Sequence, residues 1–184
     1  MTRRITLGVA SALLACVAAA AAFAAVIAVG DEVPDVTLSM ASGTDAKLST
    51  HAGKTVVLYF YGTWTKKAGA ESARIDTLRK ARAKQDLVVI GVARDAKPED
   101  AKKFGEEQKL GFAQAADPKA ELYQRFAEKG LPYVVIMDGK RKLKYSAGGV
   151  DDEAIETALA ALLGKNDAER AKEAQDAKKD DAAK

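Results

Sequence analysis

The sequence predicts an α/β domain in which a central mixed β-sheet is flanked by helices. Two uninterrupted runs of β-branched, aliphatic and aromatic residues, 55–61 and 87–93, are typical of strands buried on both faces. A helical segment with one apolar face separates them, which is the pattern of a βαβ unit. Two further strands joined by a tight turn precede a last helix and indicate a ββα unit.

Before the first central strand the sequence predicts one short edge strand. Val36 and Leu38 alternate with a polar residue there. The helix that follows the central strand covers roughly residues 68–84, with apolar side chains at helical spacing on its inner face. Its basic residues, Arg82 among them, are expected on the solvated face.

Two helices are predicted between the second central strand and the carboxyl-terminal hairpin. Pro98 opens the first, and the acidic residues after it suit the positive end of a helix dipole. Asp117 is predicted to cap a second helix that starts at the following proline. Leu122 and Phe126 lie one turn apart in that segment and would form its apolar face.

The carboxyl-terminal unit consists of strands at 133–137 and 143–147 and a helix capped by Asp151. The Asp-Gly pair at 138–139 is typical of a hairpin turn. The predicted order is therefore β-α-β-α-α-β-β-α, and the predicted domain spans residues 30–163.

Composition excludes several classes of function. The 184 residues carry a formal net charge of +3, with scattered lysines and no basic patch, which is unlike a nucleic-acid-binding protein. Cys16 and His51 are the single cysteine and the single histidine. We therefore expect no multi-histidine or multi-cysteine metal site, and no cofactor.

The amino-terminal segment, residues 1–24, has the features of an export signal. Arg3 and Arg4 precede an uncharged run over residues 5–29, and Ala-Phe-Ala at 22–24 is a small-x-small cleavage pattern. Three interpretations stay open: a cleaved signal, an uncleaved membrane anchor, or a lipoprotein modified at Cys16. Each places the domain outside the cytoplasm, in a bacterial periplasm or envelope, and in contact with a membrane through this segment alone.

The carboxyl-terminal segment, residues 164–184, is predicted to be a charged, flexible tail. From Lys165 onward it holds six basic and six acidic residues and no large apolar side chain. Such a composition cannot bury enough surface to fold by itself.

Residues 56–74 read VVLYFYGTWTKKAGAESAR, a strand that runs through a Gly-Thr-Trp turn into a helix. This segment resembles the thioredoxin-like redoxins of the TlpA/ResA type, in the AhpC/TSA-thioredoxin superfamily, which carry a W-C-x-x-C motif there. Trp64 matches that motif, but Thr65 and Ala68 stand where the two cysteines would be. Gly-Leu-Pro at 130–132 is similar to the G-x-P of the same family. The resemblance implies a thioredoxin fold whose redox motif is vestigial.

The resemblance also implies where a ligand would bind. In the family the proline of G-x-P is cis and lies against the motif turn, beside a backbone edge open to an extended peptide. A binding groove is therefore expected here, where an extended peptide or an envelope protein would dock. Its residues are expected to be Trp64, Thr65, Leu131, Pro132 and Tyr133.

Two functions are consistent with the sequence. The first is a non-catalytic binding or scaffold module, because disulfide exchange requires a thiolate. The alternative is a thiol-disulfide oxidoreductase or a peroxiredoxin-like enzyme with residual or thiol-cosubstrate activity. In a peroxiredoxin alignment Thr65 and Ala68 would fall on a T-x-x-C motif, again with alanine in place of the reactive cysteine.

Overall fold

The computed structural model describes residues 26–94, 96–126, 130–165 and 172. The predicted leader lies outside these residues, as do all but three positions of the predicted tail. None of the helices in the described ranges is long and apolar enough to cross a lipid bilayer.

Seven strands, three helices and two short 3-10 turns make up the described part of the domain. The strands are β1 (Thr37–Met40), β2 (Ala46–Lys47), β3 (Thr55–Tyr61), β4 (Leu87–Arg94), β5 (Ala113–Asp117), β6 (Tyr133–Met137) and β7 (Leu143–Gly148). The helices are α1 (Ala68–Ala81), α2 (Pro98–Glu107) and α3 (Asp152–Leu163), and the 3-10 turns are Leu48–His51 and Tyr123–Arg125.

All seven strands belong to one mixed sheet with the order β2-β1-β5-β4-β3-β6-β7. β3, β4 and β5 run parallel, β6 is antiparallel to β3, and β7 is antiparallel to β6. The unit β3-α1-β4 is the predicted βαβ crossover, and β6-β7-α3 is the predicted ββα unit. The prediction of a central mixed sheet flanked by helices is thus confirmed.

Each face of the sheet carries its own apolar core, and β3 supplies both. Every residue of β3 is buried. Leu58 and Phe60 point into the first core together with Tyr123, whereas Tyr59 and Tyr61 point into the second, which also receives the inner faces of all three helices. Burial of each large apolar side chain contributes about 1.5–3 kcal/mol to stability. Because β3 buries side chains on both faces, it stabilises both cores.

The segment between α2 and β6 differs from its prediction. Residues 113–117 form β5, which was not predicted because AQAAD contains no β-branched or aromatic residue; pairing with β1 and β4 decides its conformation instead. The prediction of a helix after Asp117 is wrong. Ala120 has a left-handed φ of 55° that interrupts a helix. The Asp117 carboxylate instead accepts N–H bonds from Leu122 and Tyr123 at 3.3 and 2.8 Å, ahead of a short 3-10 turn.

Arg82 was predicted on a solvated face, and this prediction is also wrong. α1 ends at Ala81, and the next residue, Arg82, is buried, with 1% of its surface exposed. Its guanidinium donates to both carboxylate oxygens of Glu156 at 2.8 and 3.2 Å, to the carbonyl of Gly164 at 2.8 Å and to Gln85 at 2.8 Å. A buried charge is tolerated because it is fully paired, and the pairing joins the end of α1 to α3.

Candidate functional site

Two loops that the sequence assigned to the site emerge at the same edge of the sheet. β3 and β6 are antiparallel, and Phe60 near the end of β3 pairs with Tyr133, the first residue of β6. The turn after β3, with Trp64 and Thr65, therefore lies beside the loop through which Pro132 enters β6. We call the five predicted binding residues the cis-proline surface: Trp64, Thr65, Leu131, Pro132 and Tyr133.

The tryptophan in the turn after β3 is exposed to solvent. A Cβ on Gly62 would lie 2.9 Å from two atoms of the Trp64 indole, so glycine allows the ring to fold back over the turn. The Trp64 residue nonetheless remains 58% exposed. A large apolar side chain in this setting is available for contact with a partner.

The two positions that would carry cysteines hold no reactive group. The Thr65 backbone N–H and its hydroxyl both donate to the carbonyl of Gly62, at 3.0 and 3.1 Å. Ala68 begins α1 and is 1% exposed, so its methyl group fills space in the second core. A hydroxyl used in the turn and a buried methyl group cannot carry out disulfide exchange.

The loop before β6 leaves a stretch of backbone unpaired. The Leu131–Pro132 peptide bond is cis. Gly130 accepts a hydrogen bond from the Tyr123 hydroxyl at 2.7 Å, and the Pro132 carbonyl accepts one from the Gly149 N–H at 2.8 Å. Between these anchored residues, the N–H and C=O of Leu131 make no hydrogen bond to another described residue. The loop is held on both sides of a residue whose backbone groups have no partner among the described residues.

Behind this loop lies an aromatic and cationic stack that the sequence analysis missed. Tyr133 is half-buried, its hydroxyl lies 3.0 Å from the Ser146 hydroxyl, and its ring meets the Tyr123 ring edge-on at 6.2 Å. The Arg94 guanidinium lies 4.8 Å from the centre of the Tyr123 ring. Burial raises the pKa of Tyr123, although the positive charge of Arg94 opposes that rise. No spacing in the sequence links residues 94, 123 and 133, because the sheet topology alone brings them together.

Two further tyrosines lie on the opposite face of β3 and are sealed from solvent. The rings of Tyr59 and Tyr61 stack at 5.4 Å, and the Tyr61 hydroxyl donates to Gln114 at 2.7 Å. Burial raises the pKa of Tyr59 to about 12 and that of Tyr61 further. Both phenols therefore stay protonated at neutral pH and serve packing.

Other features of the described residues lie away from this edge or hold no chemistry. His51 ends a 3-10 turn before β3, at the far end of that strand, and burial and Lys54 lower its pKa. No group of three or more His, Cys, Asp or Glu side chains within the described ranges could hold a metal ion. A cavity of about 340 Å³ between the β1–β2 turn and α2, and one of about 470 Å³ against α3, contain none of the cis-proline surface.

Comparison with known proteins relates the chain to thiol-dependent enzymes. It is 29% identical over 118 residues to the thiol-disulfide oxidoreductase ResA of Geobacillus thermodenitrificans, a match that covers 64% of this chain and 68% of that protein. It is 34% identical over 101 residues to the peroxiredoxin Bcp of Bacillus subtilis, covering 54% of this chain and 64% of the relative.

Structural comparison confirms the thioredoxin fold. A protein of Chlorobium tepidum assigned as a thiol:disulfide interchange protein DsbE superimposes with a TM-score of 0.65 and 28% identity, over 74% of this chain and 98% of its own. The AhpC/TSA family model matches residues 29–146, more than half of the sequence. The chain therefore belongs to the AhpC/TSA family, as a thioredoxin-like redoxin of the TlpA/ResA type in which both cysteines of the redox motif are replaced.

Proposed function

We propose that this chain is an extracytoplasmic redoxin-family protein without thiol chemistry, which binds extended polypeptide segments at the cis-proline surface. The observation that carries the proposal is the backbone of Leu131, whose N–H and C=O have no hydrogen-bond partner among the described residues. When the N–H and C=O of one residue are without partners, they can form two hydrogen bonds to an added extended strand, as in other proteins that bind peptides by strand addition.

The side chains around Leu131 support the same function. Trp64 offers an apolar ring that is 58% exposed, and such rings are the commonest anchors of binding energy at protein interfaces. Tyr133 is fixed beside the loop by its contacts with Tyr123 and Ser146. A rigid backbone edge next to one exposed aromatic anchor suits a ligand with an apolar side chain and an extended backbone.

The lack of thiol chemistry follows from the sequence itself. Cys16 is the single cysteine of the 184 residues and lies in the predicted leader. Exchange with a disulfide, or reaction with a peroxide, begins at a thiolate. The alternative function is a thiol-disulfide oxidoreductase or peroxiredoxin-like enzyme that borrows a thiol from a cosubstrate, in line with the names of the relatives.

The proposed location depends on the amino-terminal segment. Arg3 and Arg4 followed by an uncharged run are the features of an export signal. A fusion of alkaline phosphatase after residue 40 is expected to be active in a bacterial host. An inactive fusion found in the cytoplasm would contradict the proposed location.

Binding is tested with reduced, carboxymethylated α-lactalbumin, a permanently unfolded chain without free thiols. We expect fluorescence anisotropy to detect binding of this probe and none of the native, folded protein. Trp64→Ala is expected to weaken binding about tenfold or more. Val29→Ala is the matched control, since Val29 is 61% exposed but lies outside the cis-proline surface.

The outcomes separate the two functions. No binding of the unfolded probe, or equal loss with Val29→Ala, would contradict the proposal. Insulin reduction or peroxide consumption above the dithiothreitol background would favour the enzymatic alternative instead.

A further inference from the structure

Two lysines beside the exposed tryptophan have no partner in the described part of the chain. Lys66 and Lys67 follow the Trp64-Thr65 turn directly and are both exposed. Neither makes an ion pair or a side-chain hydrogen bond with a described residue. Some lysines elsewhere on the surface are paired with carboxylates; Lys144, for example, lies 3.1 Å from Asp138.

A third cation lies on the other side of the same edge. β4 pairs with β3, with Ala93 opposite Tyr61, so Arg94 ends β4 next to the turn that carries the two lysines. Its guanidinium is held 4.8 Å from the centre of the Tyr123 ring, which also contacts Tyr133 of the cis-proline surface. Arg94 therefore belongs to the same edge of the sheet as the cis-proline surface.

Among the described residues, several acidic side chains at this edge accept hydrogen bonds or pair with a cation. The Asp100 carboxylate accepts the N–H of Lys97 at 3.2 Å, and the Asp151 carboxylate accepts that of Ala154 at 3.1 Å. Asp152 pairs with Arg74 at 2.9 Å. Of the other acids in the described ranges, Glu71 is half-buried one turn into α1, and Glu99 belongs to α2, which packs on β5, two strands from β3.

We propose that the segment bound at the cis-proline surface is acidic: an extended peptide with an apolar side chain against Trp64 and carboxylates next to Lys66 and Lys67. This inference rests on the proposed function and specifies its ligand. The two lysines repel each other and stand at the positive end of the α1 dipole, so bound carboxylates relieve both repulsions.

The test uses three labelled ten-residue peptides that share one phenylalanine and an otherwise Gly/Ser background. One carries three aspartates, one carries three lysines, and one carries neither. With the full chain at low ionic strength, we expect the acidic peptide to bind about tenfold more tightly than the neutral one and the basic peptide more weakly still. The differences should shrink as salt is raised, because exposed charges are screened.

A charge-reversal pair identifies the residues responsible. The Lys66→Glu/Lys67→Glu variant is expected to reverse the order of the three peptides. The matched control, Lys140→Glu/Lys142→Glu, makes the same change of charge at two exposed lysines of the β6–β7 turn, at the opposite edge of the sheet. It is expected to keep the order.

The two proposals fail in different ways. Equal binding of the three peptides, with loss on Trp64→Ala, would overturn the acidic preference and leave peptide binding intact. Reversal by the control pair as well would show a non-specific effect of net charge and would also overturn the preference. If none of the peptides and no unfolded chain binds, the proposed function itself is contradicted.

Discussion

Trp64 and Tyr133 both belong to the cis-proline surface, but they differ in how deeply they are buried. The Trp64 residue is 58% exposed, whereas Tyr133 is half-buried against Tyr123 and within 3.0 Å of the Ser146 hydroxyl. Exposed anchors contribute to binding more than to stability. The tyrosine contributes to both.

We therefore predict different effects of alanine at the two positions. Trp64→Ala should change the free energy of unfolding by less than about 0.5 kcal/mol. Tyr133→Ala should cost about 1–3 kcal/mol, because it removes ring packing and a hydrogen bond. Urea unfolding measures both values, and a large loss of stability for Trp64→Ala would show that the indole serves packing.

The second prediction at this scale restores the missing thiols. Thr65→Cys/Ala68→Cys, in a Cys16→Ser background, places two thiols at the start of the 14-residue helix α1. The helix dipole there lowers a thiol pKa. We expect a reversible intramolecular disulfide, seen by mass spectrometry as the loss of two hydrogens. Thr65→Cys alone is the control, and a double variant that forms intermolecular dimers instead would contradict the assignment of these positions.

At the scale of elements, two ion pairs join α1 to α3 and differ mainly in burial. The Arg82–Glu156 pair has side-chain exposures of 0% and 23%, and the Arg74–Asp152 pair has 47% and 49%. Removal of one partner of a buried pair leaves the other charge uncompensated, whereas an exposed pair contributes little.

This difference predicts the result of one matched substitution. Arg82→Met should cost about 3 kcal/mol, since the Glu156 carboxylate, the Gly164 carbonyl and Gln85 each lose a hydrogen bond from the buried guanidinium. Arg74→Met should cost less than about 1 kcal/mol. Equal effects in urea unfolding would mean that the buried network does not hold α3 to α1.

A further prediction concerns acid. Burial alone would raise the pKa of Asp76, but hydrogen bonds from Lys80 and Arg79 outweigh it and hold the pKa below the ordinary value of 3.8. A lowered pKa in the folded state contributes stability that is present above the ordinary pKa and is lost as the pH falls through the folded value. The stability difference between the wild type and Asp76→Asn should therefore be constant from pH 7 to about 5 and shrink towards about pH 3. A difference that does not change with pH would contradict the assignment.

Some of the strands could be predicted from the sequence alone, and others could not. β3 and β4 are continuous runs of strand-forming residues, and their position in the sheet follows from that pattern. β5 does not, because an alanine-rich segment becomes a strand only when neighbours with free edges pair with it. Burial of Arg82 could not be predicted either, since two of its three acceptors, Glu156 and Gly164, lie 74 and 82 residues away along the chain.

At the scale of the whole molecule, some parts of the candidate site could be predicted from the sequence and others could not. The motif turn and the Gly-Leu-Pro loop were predicted through resemblance, and the register of β3 with β6 places them at one edge. The stack of Arg94, Tyr123 and Tyr133 arises from three separate elements that no local pattern connects. An exposed aromatic ring and a backbone segment without described partners lie where the residues that carry thiol chemistry are absent.

The most direct test of the central claim maps the bound peptide onto the protein by amide NMR. Titration of the ¹⁵N-labelled protein with the acidic peptide should shift the Leu131 amide and the Trp64 indole N–H most strongly. The same shifts are expected in the Cys16→Ser variant, which contains no thiol, and insulin reduction should stay at the background rate. Shifts confined to other surfaces, or no shifts at saturating peptide, would contradict the claim that this edge binds extended polypeptides.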